Sequence, residues 1–185
     1  MEKGIESYLR FLKGEQSEFK VIIELYWDSM LLFTNSYLHN LSDAEDIAQE
    51  ALVKLSIKRP RLGHENQLKA YLFKICRNLA INYLKKQKRN IPMTQELSET
   101  IEDDMQEVTS RMELNESRIQ LHRAMQKLKT EYRDILYLRY FEQLNTKECA
   151  KVMRCSEKQI TAVSYQARQQ LRKILEKEGF SIENI

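Results

Sequence analysis

NTKECAKVMRCSEKQITAVSYQARQQLR, residues 145–172, contains two helix starts eleven residues apart. Asn145-Thr146-Lys147-Glu148 and Ser156-Glu157-Lys158-Gln159 each put a small polar residue three positions ahead of Glu or Gln. The first side chain can accept from a backbone N–H of the new helix while the second reaches back, and each such cap is worth ~1 kcal/mol. The pair predicts a short helix over Thr146–Met153, a turn at Arg154 and Cys155, and a longer helix from Glu157 that ends where Gly179 follows Glu178. These are the proportions of a helix-turn-helix. Ala150 supplies the small side chain that crossing helices need, and Val152, Cys155, Ile160, Ala167, Leu171 and Ile174 form a face that can bury. The opposite face of the longer helix carries Lys158, Thr161, Ala162, Tyr165, Arg168, Gln169 and Arg172. Such a helix fits a DNA major groove, with its first residues near base edges and its later arginines near phosphates. Helical hairpins of this size also occur in proteins that never meet DNA.

Upstream, the chain keeps a helical period. Leu121, Met125, Leu128, Tyr132, Ile135 and Leu138 mark two further helices divided at Thr130, an N-cap by type, so a second domain is expected from about Arg118. Residues 91–117 begin with a broken pattern at Pro92 and stay polar and acidic; they cannot bury enough apolar surface to offset ordering entropy and read as a flexible linker. Before them, Phe19, Ile22, Ile23, Tyr26, Met30 and Phe33 predict a helix over residues 16–38. Ser42-Asp43-Ala44-Glu45 reads as a capping box starting a helix at Asp43. In that helix Ala44, Ile47, Ala48, Ala51, Leu52 and Leu55 form an apolar stripe opposite Asp43, Asp46, Gln49 and Glu50. Pro60 and Gly63 end it. From about Asn66 to Arg89, Leu68, Leu72, Ile75, Cys76, Leu79, Ala80 and Tyr83 give another stripe, with Lys74, Arg77, Asn78, Lys85 and Lys88 on the other flank. Phe73 and Tyr83 are expected in the core, while Tyr71 could serve either the core or a stacked base.

Composition excludes other classes. Four glycines and two prolines are too few for the turns of a sandwich or barrel, and no Gly-x-Gly or Gly-Lys-Ser/Thr run could cradle a phosphate. No uncharged apolar run approaches the ~18 residues of a membrane span, and Met1-Glu2-Lys3-Gly4 lacks the order of a signal peptide, so a cytoplasmic protein is expected. Cys76, Cys149 and Cys155 lie on apolar stripes and read as reduced, buried thiols. His39, His64 and His122 are scattered, so no metal or other cofactor is expected, and no spacing singles out a catalytic set.

Charge falls in blocks. Residues 1–57 hold 5 Lys/Arg against 10 Asp/Glu, residues 58–90 hold 10 against 1, residues 91–117 hold 1 against 8, and residues 118–178 hold 14 against 7. Two basic blocks suggest two surfaces for a polyanion. A basic helix face can equally be a solvated one, and an acidic face near a helix N-terminus can simply favour the dipole.

Two groups of residues carry a resemblance. Residues 43–50, Asp43-Ala44-Glu45-Asp46-Ile47-Ala48-Gln49-Glu50, and the run from Ala70 through Arg77-Asn78 to Leu84 are similar to region 2 of bacterial extracytoplasmic-function (ECF) sigma factors. Arg133-Asp134-Ile135-Leu136-Tyr137-Leu138-Arg139-Tyr140-Phe141 and the helix-turn-helix after it resemble region 4. The resemblance covers about residues 16–90 and 118–176. It implies an all-α protein of two small helical domains, region 2 in residues 1–90 and region 4 in residues 118–178, joined by the acidic linker 91–117 and followed by a tail, 179–185.

By resemblance, Asp43, Asp46, Ile47, Gln49 and Glu50 would dock on core RNA polymerase. Lys58, Arg59, Arg61, Tyr71, Lys74, Arg77, Asn78, Lys85 and Lys88 would engage the minus-ten element, where a flipped base of the melted strand is captured. Ser156, Lys158, Gln159, Thr161, Ala162, Tyr165, Arg168 and Arg172 would read the minus-thirty-five duplex while the second domain docks on the polymerase flap. The linker would thread the polymerase cleft, and an anti-sigma factor would sequester the whole. The chain departs from the family pattern at Ile160-Thr161-Ala162-Val163, which lacks two usual basic residues, at Arg154, where the turn usually has glycine, and at Tyr71, where Trp is usual. The implied function is promoter selection and strand opening without chemistry. A stand-alone helix-turn-helix regulator would leave the acidic face idle, and a single-strand binding module would leave the second basic block unexplained.

Overall fold

The computed structural model describes residues 3–90 and 116–179, which form two compact units. Among the described residues every regular element is helical, and no helix is long and apolar enough to cross a membrane. Residues 91–115 of the expected linker and 180–185 of the tail lie outside the described residues.

The first unit has four helices: α1 (Lys3–Leu12), α2 (Glu18–Leu38), α3 (Leu41–Lys58) and α4 (Glu65–Asn90). The three expected helices are present, and α2 packs against each of the others. Most of each stripe buries as the periodicity predicts: Ile22, Met30 and Phe33 from α2, Ala44, Ala48, Ala51 and Leu55 from α3, and Leu68, Leu72, Phe73, Cys76 and Ala80 from α4. Phe19 and Ile23 at the start of α2 and Ile75, Leu79 and Tyr83 on α4 are only half-buried, so Tyr83 is not the core residue expected. Phe33 and Phe73 meet edge to face at 5.2 Å, which puts Phe73 in the core as expected.

Helix α1 was not foreseen. It buries Ile5, Tyr8 and Phe11. Its cap is Glu65, at the start of α4: the Ile5 N–H donates to Glu65 Oε2 at 2.8 Å, and the Tyr26 hydroxyl donates to Glu65 Oε1. A carboxylate at a helix N-terminus satisfies an orphan donor and complements the dipole. Gly4 makes this approach possible, because a Cβ there would collide with the Tyr26 hydroxyl and lie 2.6 Å from Glu65 Oε1.

Two predicted caps move. Helix α3 begins at Leu41, and its N-cap is Asn40 rather than Ser42, with Asn40 Oδ1 accepting from the Asp43 N–H at 2.9 Å. Leu41 is buried, so packing draws it into the helix and shifts the start upstream. The connection from α2 is correspondingly short, with His39 left-handed and Asn40 extended. In the second unit Thr130 is the first helical residue, while Lys129 takes the cap position without a side-chain bond.

That second unit comprises α5 (Glu116–Gln126), α6 (Thr130–Leu136), a π-helical turn at Tyr137–Phe141, α7 (Thr146–Met153) and α8 (Glu157–Lys177). Helix α8 packs against α5, α6 and α7. Met125, Ile135, Leu138, Val152, Ile160 and Ala167 form the centre of its core. The π turn was not foreseen; within it Tyr137 and Phe141 stack at 5.2 Å, with His122 of α5 4.8 Å from Phe141. Cys149 is buried as expected, whereas Cys155 is only half-buried because it follows the end of α7. Leu171 and Ile174 are also half-buried, and Leu175 takes the buried place at that end of α8. Gly179, with φ +80, follows the α8 C-cap Glu178.

Candidate functional site

The acidic ridge of α3 follows from its stripe: once Ala44, Ile47, Ala48, Ala51 and Leu55 turn inward, Asp46, Gln49 and Glu50 face solvent. Asp43 is half-buried and tied to α4, for its hydrogen bond is the main cause that raises the Tyr83 phenol above its usual 10.0. The same hydroxyl accepts from Gln87 Nε2 at 3.0 Å. Tyr83 therefore links α3 to α4 while remaining half-buried. Ile47 is 6% exposed and belongs mainly to the core. Glu50 pairs with Lys54 one turn on, a surface contact worth only ~0.3–0.5 kcal/mol that leaves the carboxylate available.

Sequence reasoning missed two residues on this ridge. Val53 and Ile57 are 45% and 70% exposed, and their spacing from Asp46 and Glu50 continues one helical face. The available signal was two apolar residues lying off the buried stripe.

A groove between α3 and α4 is lined by Ile47 and Glu50 on one side and by Leu79, Asn82, Tyr83, Lys85, Lys86 and Arg89 on the other. It brings the acidic ridge alongside the basic end of α4. Lys85, Lys86, Lys88 and Arg89 are exposed, while Lys74, Arg77 and Asn78 are half-buried farther back along α4. Tyr71 is half-buried near Tyr8, and burial raises its phenol above 10.0. Lys58 at the end of α3 and Arg61 in the connection to α4 are exposed. Arg59 is held by the fold: its guanidinium lies 4.9 Å from the centre of the Phe11 ring and its Nε donates to Ser56 O at 3.1 Å.

On α8 the expected face is exposed from Lys158 to Arg172. Ser156 and Gln159 form a complete capping box, as predicted: Ser156 Oγ accepts from the Gln159 N–H at 3.2 Å, and Gln159 Oε1 accepts from the Ser156 N–H at 2.8 Å. Their polar groups are thus engaged in holding the helix start. Thr161 Oγ1 donates back to Glu157 O at 3.1 Å, and Arg172 Nε reaches Glu176 at 2.9 Å. Lys158, Ala162, Tyr165, which is 59% exposed, and Arg168 complete the face. Asn145 caps α7 as predicted, accepting from the Glu148 N–H at 3.0 Å. Among the described residues no three His, Cys, Asp or Glu side chains gather as a metal site.

Residues 26–90 match the family described as Sigma-70 region 2, and residues 118–171 match Sigma-70, region 4. In that order, on these helices, the matches define the class: all-helical transcription initiation factors of the sigma-70 type. The RNA polymerase sigma factor SigV of Bacillus subtilis (strain 168) is 30% identical over 79% of this chain and 84% of its own length. The ECF RNA polymerase sigma factor SigM of the same organism is 29% identical over 82% of this chain and 91% of SigM. This chain belongs to the ECF sigma factors, the RNA polymerase subunits that direct transcription initiation. The fold is shared with the sigma factor RpoE, solved in complex with the anti-sigma factor NepR from Bartonella quintana, at a TM-score of 0.63 and 19% identity over 90% of this chain and 99% of that one.

Proposed function

We propose that the first unit attaches to core RNA polymerase through the exposed α3 ridge, with Asp46, Gln49 and Glu50 supplying charge and polarity and Val53 and Ile57 apolar contact. Asp43 and Ile47 act from beneath, by holding α3 against α4. The basic flank and end of α4, Lys74, Arg77, Asn78, Lys85 and Lys88, with Lys58 at the end of α3 and Arg61 of the connection that follows it, then hold the opened minus-ten strand. Extruding a base costs a few kcal/mol, which phosphate contacts and a fitted pocket offset. Tyr71 and Arg59 are the weakest members of this set, because the fold already uses both. The second unit reads the minus-thirty-five duplex through Lys158, Thr161, Ala162, Tyr165, Arg168 and Arg172, with Ser156 and Gln159 fixing the helix that presents them. The protein itself performs no chemistry, works in the cytoplasm, and is held inactive by an anti-sigma factor covering these same helices.

The observation that carries this reading is the α3–α4 groove, where an acidic ridge and a basic helix end lie side by side in one unit. Run-off transcription with purified core polymerase tests it: the protein should confer promoter-specific transcripts. Asp46→Arg with Glu50→Arg should abolish them while leaving the helical fold intact. Unchanged transcripts from that variant would remove the ridge from the interface.

A further inference from the structure

Between Glu157 and Val163, α8 has one basic side chain, Lys158, and the next is Arg168. A helix that enters a polyanion's groove by its first turns is therefore short of positive charge at its leading end. Immediately ahead stands Arg154, the C-cap of α7, with φ 56 and ψ 48. This left-handed conformation crowds a Cβ, and glycine would adopt it without that cost.

Arg59 shares the conformation, with φ 44. There the side chain lies over Phe11 and donates to Ser56 O, so contacts within the fold offset the backbone cost. Arg154 has no such compensation. It is exposed, and among the described residues its guanidinium makes no hydrogen bond, ion pair or ring contact. In helix-turn-helix docking the second helix meets base edges while the first crosses the phosphate backbone, so the turn joining them lies where the two kinds of contact adjoin.

We propose that Arg154 is a phosphate-binding residue of the duplex interface, its planar guanidinium supplying at the turn the charge that the start of α8 lacks. The inference rests on the reading of α8 as the duplex-reading helix. It assigns to Arg154 affinity without base discrimination, because a phosphate contact carries no sequence information.

The test is binding of reconstituted holoenzyme to promoter duplex across a salt series, with Arg154→Gly, Arg154→Lys and Arg168→Ala. Arg154→Gly should reduce the slope of log affinity against log salt by ~0.9, equivalent to ~3-fold less change in affinity over a fourfold rise in salt. The free protein should melt no lower than its parent, since glycine relieves the turn. Arg154→Lys should keep the parental slope. If Arg168→Ala lowers the slope and Arg154→Gly does not, the assignment of Arg154 is wrong while the duplex reading stands. If neither lowers it, the duplex reading of α8 fails and the assignment with it.

Discussion

Replacing Glu65 with alanine should unfasten α1 from the first unit. Its carboxylate accepts from the Ile5 N–H and from the Tyr26 hydroxyl, joining three helices at one side chain. Hydrogen bonds to a charged group contribute ~1.5–3 kcal/mol each, but two donors sharing one partly buried acceptor do not add, so the expected loss is ~2–4 kcal/mol. Glu65→Gln keeps an acceptor and should lose about half of that. The chain has a single tryptophan, Trp27, beside Tyr26 in α2, so urea unfolding of the full protein followed by its fluorescence reports on this unit. Gly4→Ala should destabilise the same transition by pushing against Tyr26 and Glu65. A loss below ~0.5 kcal/mol for Glu65→Ala, or coupling below ~0.5 kcal/mol in a cycle with Tyr26→Phe, would refute the role given to Glu65.

Val53→Asp with Ile57→Asp should prevent association with core polymerase in a pull-down while changing stability by no more than ~0.5 kcal/mol per site, because both side chains are exposed; retained association would remove them from the ridge's function. The Tyr8 phenol is pushed up to about 12 by burial, then by neighbouring Tyr71, and its hydroxyl donates to Pro60 O at 2.7 Å. A folded pKa above the unfolded 10.0 gives stability that is complete below pH 10 and lost as pH rises toward about 12. Tyr8→Phe should flatten Trp27-detected stability across that window, leaving the parallel loss from buried Cys76, which is raised from 9.0 to about 12; a profile as steep as the parent's would contradict this. Ser156→Ala should cost the second unit ~1 kcal/mol by circular dichroism, since it dismantles the capping box, and an unchanged melt would mean the box does not hold α8.

What could be read directly from the chain was what a few neighbouring residues encode. The capping box at Ser156-Glu157-Lys158-Gln159, the cap at Asn145 and the buried stripe of α3 all depend on spacings of three or four, and all appear in the folded protein. The acidic ridge was legible for the same reason, since a stripe that buries dictates the face left over. Tertiary structure decided whatever depended on a distant partner. Helix α1 starts where it does because Glu65, sixty residues away, accepts from Ile5, and no local pattern announces that bond. Asn40 displaced Ser42 as cap because Leu41 had a core to enter. Asp43 left the free ridge because Tyr83 of the next helix claimed it, and Arg59 was drawn back onto Phe11, whereas among the described residues Arg154 found nothing to hold it. Periodicity fixes which face of a helix turns inward. Which polar groups remain free to meet another molecule is settled only when the helices are packed and their donors and acceptors have paired.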